Sequence, residues 1–88
     1  MTTWNEAKRR DNLRKHRVDL VLAEQFEWST ASIVEDVGKD YGERREVATG
    51  FIGLTLYVFV YTLRAEEDHA ISLRKANKQD SRRYAQDT

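Results

Sequence analysis

The sequence predicts an α+β fold with two N-terminal helices, a four-stranded, mainly antiparallel sheet and a C-terminal helix. Three observations carry this. Residues 5–16 read as helix formers behind an asparagine. Residues 31–76 hold alternating or β-branched runs separated by short turn signals. A second asparagine, Asn77, then opens a polar, basic run to the end. Eighty-eight residues make one small domain, 1–88, which buries about 60–65% of its unfolded surface and so has a modest core.

Asn5 is the expected N-cap of the first helix, with Glu6 in its first turn. Trp4 and Leu13 are its only strong apolar residues, so it packs by a narrow stripe. Asp19 can cap a second helix, "LVLAEQFEW", in which Leu20, Ala23 and Glu24 lie a turn from Phe26 to Trp28. "ASIVEDV", Ala31 to Val37, is a short strand, and Gly38 to Glu43 a loop. "RREVATGFIG" alternates toward a turn at Ile52-Gly53, and "LTLYVFVYTLR" returns as the longest strand. "AEED" makes an acidic turn, and "HAISLRKA", His69 to Ala76, pairs back before the last helix.

Composition narrows function by exclusion. With no cysteine there is no disulfide, thiolate metal site or thiol nucleophile. His16 and His69 stand far apart, so no metal-ligand spacing appears. No glycine-rich phosphate loop occurs, and no apolar stretch opens the chain or is long enough to span a membrane. A cytoplasmic protein without metal or cofactor is expected. The zero net charge hides an asymmetry. Residues 1–17 carry six Lys or Arg against two acids, residues 18–73 four against eleven, and residues 74–88 five against two. Two basic ends make a positive patch if folding joins them.

The cations cluster in three places. Lys8, Asn12 and Lys15 or His16 fall on one helical stripe, poor core material that faces either solvent or a ligand. Glu43 and Arg44 flank a glycine loop that leads into a strand. Arg64 ends the long strand and Arg74 lies near the end of the next. If Arg64 pairs with Ala70, then Thr62 faces Ser72 and Val60 faces Arg74. Both guanidiniums then share a face about 12–14 Å apart, where planar forks suit phosphate oxygens. For either arginine alone a solvated strand end is the favoured reading. Tyr61 or Tyr84 can stack on a base.

Four blocks together resemble a known family. They are "W-x-x-x-K-x-x-x-N-x-x-K-H-x-V" (Trp4, Lys8, Asn12, Lys15, His16, Val18), "YGE-R" (Tyr41 to Glu43, Arg45), "VYT-x-R" (Val60 to Thr62, Arg64) and "IS-x-RKA" (Ile71, Ser72, Arg74 to Ala76), with Tyr84 behind. This pattern is similar to the BrnT toxins, the ribonuclease half of bacterial BrnT–BrnA toxin–antitoxin modules. The resemblance implies a RelE-like fold and a candidate site of Lys8, Lys15, His16, Glu43, Arg64 and Arg74. It also implies a BrnA-like antitoxin with a ribbon-helix-helix DNA-binding domain, in a hetero-oligomer that reaches operator DNA through the antitoxin and represses its own operon. Two positions depart from the pattern. Arg17 replaces the glycine expected after the Lys-His pair, and His69-Ala70 stands where an arginine is expected.

The expected reaction is RNA cleavage without metal, by attack of a ribose 2′-OH on the adjacent phosphate. Arg64 and Arg74 would hold the phosphate, Glu43 or His16 serve as base, and Lys15 or His16 as acid. The alternative is a non-catalytic interaction module, or a degenerate toxin, that acts as corepressor with its partner.

Overall fold

The capping asparagine at residue 5 starts the first helix as its residue type asks. In the computed structural model, which describes residues 2–36, 42–64 and 67–87, Asn5 Oδ1 accepts from the Ala7 and Lys8 amides at 2.8 and 3.4 Å. Helix α1 runs Glu6–His16, with its acid in the first turn and Arg14, Lys15 and His16 in the last. Both placements favour the helix dipole. The chain leaves the helix through Arg17 at φ +59°, a left-handed conformation that glycine adopts freely and arginine does not. Arg17→Gly is therefore expected to stabilise the fold by about 0.5–1 kcal/mol, part of the relieved strain being offset by a floppier unfolded chain. A higher urea midpoint at unchanged slope would show it.

The expected second helix is corrected. Asp19 does cap, its Oδ1 accepting from the Val21 amide at 3.1 Å, but the element is a 3-10 helix, Leu20–Gln25, followed by a 3-10 turn, Trp28–Thr30. Leu20, Ala23 and Phe26 are all buried and recur every third residue. That spacing fits 3.0 residues per turn better than 3.6.

The sheet has five strands rather than four, and it is mixed. Its spatial order is β1-β5-β4-β3-β2, with β1 Thr3–Trp4, β2 Ser32–Asp36, β3 Arg45–Ile52, β4 Thr55–Arg64 and β5 Glu67–Lys75. The additional strand, β1, lies parallel to β5, pairing Thr3 with His69 and Trp4 with Ala70. Two residues carry no readable alternation, so β1 exists only because α1 docks beside β5. The β3–β4 hairpin matches its turn signal. Gly53 takes φ +61° and Ile52 pairs with Thr55. Of the expected loop between β2 and β3, and of the turn between β4 and β5, residues 37–41 and 65–66 lie outside the described residues.

One face of the sheet, with Ala48, Phe59, Ala70 and Leu73 fully buried, packs on the 3-10 segments around Leu20, Ala23 and Phe26. Tyr61 belongs to this core, its ring stacked on Phe59 at 5.1 Å and edge-on to Trp28 at 5.2 Å. Burial, with Glu46 and Asp68 nearby, pushes its phenol up to about 12. It therefore cannot reach an RNA base. The C-terminal helix α2, Lys78–Asp87, lies on the opposite face, where Tyr84 Oη donates to Thr30 O at 2.6 Å and its ring meets Phe51 edge-on. Tyr84 thus pins a helix.

Asn12 joins α1 to the sheet. It is 4% exposed, although its neighbours on the same stripe are charged. Its Nδ2 donates to Leu73 O at 2.7 Å and to Val18 O at 2.8 Å, and its Oδ1 accepts from Leu73 N at 3.0 Å. The side-chain amide thereby takes the place of a neighbouring strand at the β5 edge, beyond the short reach of β1. Leu13, expected to pack, is exposed instead. The helix docks by a polar plug and by the Arg9–Asp19 ion pair at 2.8 Å.

Candidate active site

The register between β4 and β5 decides which side chains meet. Arg64 pairs with Glu67, Thr62 with His69, Val60 with Ser72 and Val58 with Arg74. The expected pairing of Arg64 with Ala70 is therefore wrong, because Glu67 and Asp68 extend the strand instead of forming the turn. A bulge at Ile71 supplies one extra residue on β5, between the Val60–Ser72 and Tyr61–Ala70 pairs. It has a chemical consequence. Ala70 and Leu73 both remain in the core, while His69 comes to the same face as Ser72 and Arg74. An unbroken alternation would send His69 to the other side.

Arg64 and Arg74 do share that face, but six residues of β4 separate their cross-strand positions, about 20 Å of strand rise. They cannot bind one phosphate together. Each also has its own carboxylate. Arg64 Nη2 donates to both oxygens of Glu43 at 3.2 and 3.3 Å, a pair 54% and 31% exposed. Arg74 donates to Asp80 at 2.6 and 3.3 Å. Asp80 is also the third residue of α2. Its Oδ2 accepts from the Asn77 amide and Asn77 Oδ1 accepts from the Asp80 amide, both at 2.8 Å, a capping box.

The Arg74 guanidinium holds the Asp80 carboxyl below its ordinary 3.8. A carboxyl lowered on folding stabilises the native state above its unfolded value, and that contribution disappears as pH falls below about 3.8 through the native value. Acid titration of the wild type is expected to loosen α2 in that range, and Asp80→Asn to weaken this dependence, as read by urea midpoints at pH 7 and pH 3.

Lys8, Lys15 and His16 line an open groove between α1 and β5 with Asn12, Ile71 and Ser72. The stripe read from the sequence thus faces a groove rather than open solvent, with Asn12 as its anchor. At the groove's β1 end lies His69, a residue the sequence marked only as a departure. Its Nδ1 shares a 2.8 Å hydrogen bond with Thr3 Oγ1. Burial first, then the charges of Arg64 and more weakly Lys8, lower its pKa below the ordinary 6.5, against an opposing pull from Glu43. Of the six expected residues, Glu43 and Arg64 form an ion pair, and Lys8, Lys15 and His16 share the groove. Arg74 lies apart, beneath α2. The structure adds three side chains that the sequence reading gave no role: His69 and Thr3 bonded to each other, and Asp80 bonded to Arg74.

Among the described residues, no group of three or more His, Asp or Glu is placed to hold a metal ion. No described helix is long and apolar enough to cross a membrane. Residues 4–80 match the family model described as the ribonuclease toxin, BrnT, of type II toxin-antitoxin systems. The chain belongs to the BrnT toxin family. Its family is thus one of ribonuclease toxins, and the type II class implies a protein antitoxin as partner. Its structure is similar to the crystal structure of the Brucella abortus ribonuclease toxin BrnT, with a TM-score of 0.70 and 25% sequence identity over 89% of this chain and 99% of that one. No curated protein matches the chain. The helix most intimately tied to Arg74 falls largely outside the family match, which ends at Asp80.

Proposed function

We propose that the chain, acting as one domain over residues 1–88, is a cytoplasmic, metal-independent endoribonuclease. The observation that carries this is the groove lined by Lys8, Lys15 and His16, together with the Arg64–Glu43 ion pair, whose charges and that of Lys8 act on His69. Cleavage by the neighbouring 2′-OH builds a doubly charged phosphorane, and fixed cations stabilise it without water reorganising. Arg64 and Lys8 supply that charge where a metal ion does so in other nucleases. Glu43 holds the Arg64 guanidinium in place, with both oxygens on Nη2. Lys15 or His16 protonates the departing 5′-oxygen. Arg74 meets the RNA farther along the strand, where a phosphate must compete with Asp80.

The partner in this reading is a BrnA-like antitoxin with a ribbon-helix-helix DNA-binding domain. The pair forms a hetero-oligomer that represses its own operon and meets operator DNA only through the antitoxin. The test is digestion of a defined RNA by the purified chain without partner, together with growth arrest on induction. Cleavage that persists in excess EDTA is expected. RNA left intact by folded protein that nevertheless sharpens the partner's DNA binding would overturn the reading in favour of a corepressor.

A further inference from the structure

His69 lies where the proposed reaction has an unfilled role, the group that removes the proton from the attacking 2′-OH. Glu43 has both oxygens on Arg64 Nη2. His16 sits exposed in the last turn of α1, and no hydrogen bond to its ring is recorded among the described residues, so its tautomer is unfixed. His69 differs on each count. The bulge at Ile71 sets it on the face that carries Ser72 and Arg74, opposite Thr62 on β4. Its Nδ1 is engaged by Thr3 Oγ1 at 2.8 Å. In the tautomer whose Nδ1–H donates to that hydroxyl, Nε2 is left with a lone pair that can take a proton.

We propose that His69 is the general base of the ribonuclease site, positioned by Thr3; this rests on the ribonuclease reading above. The 2′-OH proton passes to His69 Nε2, the O2′–P bond forms and the P–O5′ bond breaks. The 5′-oxygen takes a proton from Lys15 or His16, leaving a 2′,3′-cyclic phosphate and a 5′-hydroxyl. No oxidant, reductant or further reactant is needed. The charged groups that act on the ring are Arg64 from β4, Glu43 from the segment before β3 and, most weakly, Lys8 from α1, with the neutral Thr3 of β1 on Nδ1. Burial and the two cations keep the imidazole neutral to lower pH than usual, which is the form a base requires.

The experiment is the pH dependence of cleavage of a short RNA, with products identified by their ends. Wild type is expected to show a rising limb in kcat with its midpoint below 6.5. His69→Asn loses about 10²–10⁴-fold in kcat and loses that limb while KM changes little. His69→Gly regains part of its rate with added imidazole, a rescue no merely structural role would show. Thr3→Val keeps the limb but lowers the rate about tenfold. Should a folded His69→Asn protein keep both rate and limb while Arg64→Ala is crippled, His69 is not the base although the site stands. A wild-type protein that leaves RNA intact would overturn both the site and the base.

Discussion

Asn12→Ala is expected to leave the protein largely unfolded at 37 °C, at a loss of about 3–5 kcal/mol. The substitution removes no apolar surface of consequence. It strands the Leu73 amide and the carbonyls of Leu73 and Val18, all served by one side chain that is 4% exposed. Each buried backbone group left without a partner costs about 1–3 kcal/mol, and a domain of this size holds only about 5–15 kcal/mol in total. Asn12→Asp tests the same point chemically. It keeps the acceptor for Leu73 N but puts a second acceptor against two carbonyls, so it should fail as badly as alanine. Urea denaturation of both variants provides the measurement, and a midpoint within a few tenths molar of wild type would sink the assignment.

Arg64→Ala should do the reverse, with cleavage about 10²–10³-fold slower and stability almost unchanged. In the proposed reaction the guanidinium meets the charge that develops on the phosphate, and a preorganised donor in that role is worth that much. Its ion pair with Glu43 is 54% and 31% exposed, and such pairs contribute about 0–1 kcal/mol. Growth arrest on induction and single-turnover RNA cleavage would both register the loss. Arg74→Ala supplies the contrast, since it frees Asp80 and so weakens the start of α2 more than it slows the reaction. If a folded Arg64→Ala protein remained fully toxic, the phosphate role would have to move elsewhere.

The two predictions separate along the line between local and long-range order. Asn5, Asp19 and Asn77 act as caps within a few residues of themselves, so composition alone exposes them. Gly53 sets the β3–β4 turn by its own backbone freedom, and the ten residues of β4 announce a buried strand by β-branched and aromatic content. By contrast, the 3-10 helix at Leu20 is chosen by what its every-third residues bury, and β1 by the edge it finds. Neither leaves a mark that a window of sequence can display.

The candidate site divides in the same way. That Lys8, Lys15 and His16 share a stripe follows from helical spacing, and the four blocks spread along the chain point to the family whose model matches residues 4–80. Residue identity and local periodicity therefore determined the caps, the long hairpin and the membership in a family of ribonuclease toxins. Only the tertiary structure decided that Asn12 plugs the β5 edge, that Arg74 is tied to Asp80 and separated from Arg64, and that His69 shares a face with Arg64 and Ser72. For Asn12 the physical reason is the open edge of β5, for Arg74 the docking of α2, and for His69 the single extra residue at Ile71. A bulge costs little locally and is set by which neighbours must remain buried across the sheet, yet it reverses the face of every residue beyond it.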